Sequence, residues 1–549
     1  MKMVKTLLLG TAAGFVAVAG AQAADMPVKA AAVQYVKICN LYGDGFYFLP
    51  GTNICVKIGG YVRAEYGMFA GASQTNGPFQ SGLFNGISGA AGSNTGPDGY
   101  NDRWDGGVWV MRSRAYISMD TREQTEWGVL RTYLNIGLNY DSPASGSAAI
   151  FSGNRAFIQF AGFTVGLAQS FYDFYCVPCS QYLGITPASD TGDGGWKVIA
   201  YSLIWGNGIT STLSLEEPRR IGIVNTDAAA NPFTFFGAAV GQNGITGSAG
   251  ADSAKERFPD IVANLRIDQA LYTAQVMFAA HDASAAYYFS TLNAINGVGV
   301  GGGVACPPGT LGTAAPGGGT IIGSEVCGHP ADKLGWAAGA GFRINLPNTN
   351  GSYFQIQYNY TVGAARYADQ TQTGYWSYVQ GGSLAYGILT DGIVNNATGT
   401  VDLTRVQGLN VAFDYHWNGK FWTSIYGSYL KVSYDGIANA SICGVQNTFN
   451  GSLPVGGQPF TAGGLTQIQN CQNDWSFWVV GSRWQYNFTP ALYVGIEAVY
   501  QKLQSADAGG SAFLPTVGLA SVAVPATVYQ VQNQSIWAFR ARFHRDILP

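Results

Sequence analysis

From Ile54 to near the C-terminus the chain alternates with period two between a wet face and an apolar one, and this pattern restricts its fold more than any other feature. Successive side chains of a strand point to opposite faces, so the alternation reads as β-structure. Between Val108 and Asp120 one face carries Val108, Val110, Arg112, Arg114, Tyr116, Ser118 and Asp120, while the other carries Trp109, Met111, Ser113, Ala115, Ile117 and Met119. The next segment sets Arg131, Tyr133 and Asn135 against Leu130, Thr132, Leu134, Ile136 and Leu138. Later segments agree, with Val262, Asn264, Arg266 and Asp268 opposite Ile261, Ala263, Leu265 and Ile267. No stretch of helical period competes with them.

Spacing turns these strands into an architecture. Strands are expected near 54–69, 107–120, 126–140, 150–161, 162–171, 194–206, 208–217, 258–268, 270–281, 332–345, 351–364, 403–417, 419–434, 473–487, 490–504 and 530–545. Short turns such as Thr121–Thr125, Ala161-Gly162, Gly206-Asn207, Asn418-Gly419 and Thr489-Pro490 alternate with long segments rich in Gly, Ser, Ala, Asn and Pro. An even number of antiparallel strands, with short turns at one end and long loops at the other, predicts an all-β, 16-stranded antiparallel transmembrane barrel of the outer-membrane kind, with short periplasmic turns and long extracellular loops. Composition agrees. Charged residues are 11% of the chain, against roughly 25% in ordinary soluble domains, as expected of a wall whose outer half must dissolve in lipid. A helical membrane protein is excluded, because a spanning helix needs about 20 continuous apolar residues and the only run approaching this lies at the N-terminus. There, Lys2 and Lys5 precede the apolar stretch Leu7 to Ala19 and the small-x-small site Ala21-Gln22-Ala23, which predicts a signal peptide over 1–23. A pre-barrel segment over 24–53 and the barrel over 54–549 follow. The net charge of −3 leaves no basic footprint, so nucleic acid is not an expected partner.

The polarity of the faces decides the environment. Soluble barrels and sandwiches bury apolar residues inside, whereas here the arginine-bearing faces need water and the opposite faces end in aromatics. Trp475, Trp478, Trp484 and Tyr486 on one segment, with Tyr415, Trp417 and Trp422 nearby, are expected to form girdles at the membrane interfaces. The inner face of the first strands collects Arg63, Arg112, Arg114, Arg131 and Arg155 as a basic wall. The third long loop, about 172–195, carries Asp173, Asp190 and Asp193 and is expected to fold inward, setting acids against arginines across a size-limiting gap. Arginines expected to point inward, including Arg266, Arg343, Arg483, Arg540 and Arg542, outnumber the inward Glu65, Asp120, Glu216, Asp268, Asp414 and Glu497. The bland alternative is that these groups pair with one another and merely satisfy the lining. The sign of ion selectivity depends on where the loops lie.

Eight cysteines fall into four local pairs, Cys39 with Cys55, Cys176 with Cys179, Cys306 with Cys327 and Cys443 with Cys471, which in an exported protein read as structural disulfides. Catalytic and metal readings are weak. Cys176-Val177-Pro178-Cys179 lacks the βαβ context of a redox motif, and His281, His329, His416 and His544 are too scattered for zinc. Asp414 and His416 share a face, yet no Gly-x-Ser-x-Gly elbow supplies a nucleophile, so no enzyme is expected. No cofactor is expected either, although the acidic stretch Asp98 to Asp105 could hold Ca²⁺ while missing the EF-hand glycine and glutamate.

The segment from Tyr35 to Arg63, with Cys39, Gly43, Gly45, Pro50-Gly51, Cys55, Gly59-Gly60-Tyr61 and Arg63, resembles the opening signature of the porin family of alphaproteobacterial outer membranes. With the leader and the strand layout, the resemblance covers nearly the whole chain. It implies a homotrimeric, water-filled Gram-negative outer-membrane barrel, embedded in lipid and lipopolysaccharide, constricted by its third loop and passing small hydrophilic molecules and ions. A channel selective for one solute class, or a surface barrel acting as adhesin or receptor through its loops, is the alternative. One departure is the tail Phe543-His-Arg-Asp-Ile-Leu548-Pro549, since such barrels commonly end in an aromatic residue.

Overall fold

The computed structural model describes residues 38–71, 73–76, 109–142, 150–192, 194–225, 253–254, 257–285, 329–370, 375–380, 383–395, 400–451, 454–455, 458–459, 471–514, 517–519, 522–524 and 527–548. The alternating segments form one antiparallel barrel of sixteen strands. In chain order these are β1 (Cys55–Gly71), β2 (Trp109–Thr125), β3 (Gly128–Ser142), β4 (Ile150–Phe160), β5 (Phe163–Ala168), β6 (Trp196–Gly206), β7 (Ile209–Glu216), β8 (Asp260–Asp268), β9 (Tyr272–Asp282), β10 (Leu334–Asn345), β11 (Tyr353–Val362), β12 (Arg405–His416), β13 (Phe421–Ser433), β14 (Trp475–Thr489), β15 (Leu492–Gln504) and β16 (Gln534–Leu548). Neighbours in sequence are neighbours in the sheet, and β1 pairs with both β2 and β16. That last pairing sets Arg63 opposite His544 and Glu65 opposite Arg542, and it removes the free edges that an open sheet would expose.

Each expected strand is present. The first turn is shorter than expected: β2 continues through Thr125 and only Glu126 and Trp127 separate it from β3. The last strand runs to Leu548 with Phe543 and Ile547 on the exposed face, so an aromatic residue does reach the outer surface near the C-terminus, from an internal position.

The wall is inverted relative to a soluble barrel. Ile117, Ile158, Ile199, Ile425 and Ile496 are all exposed on the outside, whereas Arg112, Arg114, Gln357, Asn410 and Arg483 are buried on the inside. Trp484 and Tyr486 lie on the outer face, as a girdle requires, but Trp475 does not. It shares inward parity with Phe477 and Arg483, is buried, and its Nε1 donates to Ile388 O at 2.6 Å.

The described residues from Ile38 to Lys57 form a compact unit of their own. The Cys39–Cys55 disulfide closes it, the short strand Tyr47–Phe48 pairs with Val56 and Cys55, and Phe46 fills its centre. Lys57 Nζ donates to Asp44 O at 3.0 Å. Disulfides also join Cys176 to Cys179 and Cys443 to Cys471; Cys306 and Cys327 lie outside the described residues, as does the acidic stretch Asp98 to Asp105. A helix, Gly436–Gly451, stands in the loop after β13, where no helical period is evident in the sequence. Asp435 starts it by accepting the backbone N–H of Ala438 at 2.8 Å, an N-cap interaction that satisfies a donor the first turn leaves orphaned.

Candidate functional site

The inner wall has two unlike arcs. The first runs over β16, β1, β2, β3 and β4 and carries the arginines expected there. Arg131 donates from Nε and Nη2 to Asp120 at 3.0 and 2.9 Å and from Nη1 to Gln159 at 3.0 Å. Its guanidinium also sits 5.3 Å from the Tyr133 ring and 5.4 Å from Phe157. Arg122 adds a second guanidinium to Asp120 at 2.9 Å; its inward parity is visible once β2 is allowed to run to its true end. Arg114 donates to Asn139 Oδ1 at 2.6 Å, Arg112 is buried on the same face two residues earlier, and Arg155 reaches across to Gly192 O in the third long loop at 2.8 Å. A bulge between Asn135 and Ile136 in the β3–β4 register keeps Arg155, Phe157 and Gln159 inward. Arg63 donates from Nε to His544 Nδ1 at 3.2 Å.

The second arc, β7 to β15, is covered by the third long loop, residues 169–195, which crosses the lumen. Polar side chains of the wall bind its backbone in succession. Glu216 accepts Phe171 N at 2.9 Å, Gln357 accepts Tyr175 N at 2.6 Å, Gln355 Nε2 donates to Cys176 O at 3.0 Å, and Arg483 donates to Cys179 O at 2.9 Å. The far contact is the most elaborate. Glu497 accepts Tyr182 N and Leu183 N at 2.9 and 2.6 Å, one on each carboxylate oxygen, while Arg542 donates to Tyr182 O at 3.2 Å. The Tyr182 ring lies 4.1 Å below the Arg542 guanidinium and its hydroxyl donates to Gln485 at 2.7 Å. A Cβ at Gly495 would come within 2.1 Å of that hydroxyl, so the glycine leaves the slot the ring occupies.

Asp173 of this loop pairs away from the first arc. Asp173 is buried against Arg219 at 2.8 Å, both side chains fully enclosed, and also accepts Thr191 N at 2.7 Å. Burial works against the Arg219 charge, but Asp173, Tyr367 and Glu216 outweigh it and hold the guanidinium above its ordinary pKa. Burial together with repulsion from Arg219 lowers Arg366 to about 10. Burial pushes the Tyr172 and Tyr175 phenols well above their ordinary range, so both remain neutral hydroxyls. Asp190 staples the loop to itself by accepting Val177 N at 2.8 Å and Gly192 N at 2.7 Å. Asp193 lies outside the described residues.

A second cover lies over the loop end of the same arc. The segment between β11 and β12 folds Trp376, Tyr378, Leu389 and Ile393 against Leu430, Phe477, Val499 and Leu503 in an apolar core inside the barrel. Asp391 anchors it, accepting Ala365 N at 2.8 Å and Ile221 N at 2.9 Å. His281, on β9, bonds Asp260 at 2.7 Å and approaches Asp391 at 3.5 Å. Asp414 and His416 meet at 2.9 Å, but Asp414 also holds Arg483, which places the pair in the lining beneath the third loop. Tyr182, Arg219 and Asp391 carry no local signal that would mark them in the sequence, since their partners come from remote strands.

Among known proteins, the family model described as "Porin subfamily" matches residues 25–539. Porin Omp2a of Brucella ovis is 32% identical over 237 residues, 39% of this chain and 59% of that protein. Porin Omp2b of Brucella melitensis biotype 1 is 31% identical over 227 residues, 39% of this chain and 54% of the relative. The matched region thus spans under two thirds of these relatives' length. A crystal structure of the outer membrane channel DcaP of Acinetobacter baumannii matches at 11% identity, covering 90% of this chain and 99% of that one, with a TM-score of 0.49.

Proposed function

Since the chain belongs to the porin subfamily, as a Gram-negative outer-membrane β-barrel, we propose that it forms a passive, water-filled diffusion channel for small hydrophilic molecules and ions. The observation that carries this reading is the inverted wall: an apolar exterior encloses a polar lumen that the third loop crosses from one arc to the other. Water and solute then pass between the arginine arc, with Arg63, Arg112, Arg114, Arg131 and Arg155, and the loop that carries Asp173, Asp190 and Asp193. A lumen bounded by guanidiniums and a fixed loop limits size and biases charge without any bond being made or broken. In this reading residues 1–23 are removed on export, the apolar outer face contacts lipid and lipopolysaccharide, and three copies assemble.

The core packed inside the barrel by Trp376, Tyr378 and Leu389 favours a second reading, a channel narrowed toward one solute class. Conductance in planar bilayers tests both. Folded protein is expected to insert with openings in three equal steps, and folded protein without conductance overturns the channel. Joint Arg112→Gln and Arg114→Gln substitution is expected to move the reversal potential in a salt gradient toward cations, and an unmoved potential removes these arginines from the permeation path. A conductance close to that of an open barrel of this strand number would eliminate the narrowed reading.

A further inference from the structure

We propose that Arg63, fixed between Tyr61 and His544, is a lumenal docking point for small oxyanions, carboxylate or phosphate; the proposal rests on the channel reading above. Five rings stack in sequence across the third loop and four neighbouring strands. Tyr182 stacks on Tyr493 with centroids 6.3 Å apart, Tyr493 on His544 at 4.7 Å, His544 on Tyr61 at 5.0 Å and Tyr61 on Tyr116 at 5.4 Å, with planes within 30° of parallel throughout. The Arg63 guanidinium lies 4.7 Å from the Tyr61 centroid. Its Nε donates to His544 Nδ1, so that nitrogen is the acceptor, and the imidazole turns Nε2 to Asp546 Oδ1 at 3.0 Å.

A guanidinium held by one face and at Nε keeps its two terminal amino groups in the edge-on fork that matches two oxygens of a carboxylate or phosphate. Among the described residues those two groups make no hydrogen bond, and Arg63 is only half-buried. The carboxylate nearest in sequence on the same face, Glu65, is already taken by Arg542, whose Nε donates to it at 2.6 Å, with Arg540 at 3.6 Å. Its charge is therefore matched by two other guanidiniums.

The sequence builds this site locally. A Cβ at Gly60 would stand 2.4 Å from Tyr116 O, and one at Gly59 would stand 2.7 Å from Ser118 Oγ. Two glycines let β1 approach β2 closely enough for Tyr61 to stack on Tyr116, and Arg63 follows two residues later on the same face. Gly59-Gly60-Tyr61-Val62-Arg63 is thus a single device for presenting one guanidinium to the lumen.

The test uses the full-length protein in planar bilayers at about 0.1 M KCl, where screening acts over ~10 Å and a lumenal charge remains visible. Acetate and inorganic phosphate are added separately, and the chloride-carried current is followed to half-block. Saturable block is expected, and Arg63→Gln is expected to raise the half-blocking concentration about tenfold, the equivalent of ~1.4 kcal/mol. Arg63→Lys, which keeps the charge and loses the fork, should fall between. His544 acts as a positioning residue: His544→Phe should weaken block and His544→Gln, which restores an acceptor oxygen, should recover part of it. Block by acetate alone assigns a carboxylate site and block by phosphate alone a phosphate site. Equal half-block in wild type and Arg63→Gln, with normal current in both, overturns the docking point and leaves the channel standing; absence of current from folded wild type overturns the channel itself.

Discussion

The two arcs of the inner wall obey the same alternation and end in different environments. On the β16–β4 arc the side chains of Arg122 and Arg131 keep about a quarter of their surface, at 26% and 28%. On the β7–β15 arc Gln357, Asn359 and Asn410 keep none. Both arcs are polar and inward, yet the stretch of the first around Arg122 and Arg131 faces the lumen, while the middle of the second is an internal interface, sealed by the third loop and by the segment between β11 and β12. At the turn end of the second arc Arg266 and Asp268 stay solvated, at 37% and 48%. Polar patterning therefore marks the inside of such a barrel but does not mark where water runs. That is decided by which wall residues find backbone partners on an incoming loop, as Glu497, Gln357 and Glu216 do.

If the covered arc is a structural interface, breaking it should cost stability, and the largest effect is expected at the enclosed Arg219–Asp173 pair. Arg219→Met leaves a buried carboxylate without its counter-charge, a change that costs about 3–5 kcal/mol. The midpoint of thermal unfolding should drop accordingly, and Arg219→Met with Asp173→Leu should recover much of the loss. An unchanged midpoint for the single variant would dissolve the distinction between the arcs. The next effect belongs to Glu497, which accepts two loop N–H groups and the Tyr426 hydroxyl at 2.7 Å. Glu497→Gln turns one acceptor into a donor facing donors, a loss of about 1.5–3 kcal/mol. It should release the Tyr182 anchor, so current noise rises and larger sugars enter liposomes faster; unaltered sugar permeation would show that the anchor does not set the size limit.

How much of this was legible in the sequence follows from the same contrast. The arginine arc was readable residue by residue, because alternation alone places Arg112, Arg114 and Arg131 on one face, and the close glycine pair before Tyr61 and Arg63 stood in the recognisable opening segment. Arg122 was hidden only by a turn set a few residues too early. Trp475 could have been assigned by parity, since it is in step with Arg483 and out of step with Trp484, but its aromatic character suggested a girdle. The covers were not legible. Tyr182 and Arg219 sit in irregular segments with no period, and their meaning comes from Glu497, Arg542 and Asp173, brought near by barrel closure. The acids Asp173 and Asp190 were visible as charges, while their partners, Arg219 and backbone N–H groups of the loop, depend on how that loop folds.

The smallest expected change in stability is on the open arc, and it separates lining from scaffold. Arg131 is bound to Asp120 in a partly solvated setting, where removing one ion-pair partner costs about 0–1 kcal/mol. Arg122 remains on the same carboxylate at 2.9 Å, so Arg131→Gln does not strand it. The variant should unfold within a degree or two of wild type while shifting the reversal potential toward cations, and the shift should shrink as salt rises, because a charge facing water is screened over ~10 Å at 0.1 M. The enclosed Arg219–Asp173 pair must behave in the opposite way, with a large loss of stability and little dependence on salt. If Arg131→Gln instead unfolds like Arg219→Met, the arc we describe as open is part of the packed interior, and the path of water has to be sought elsewhere in the barrel.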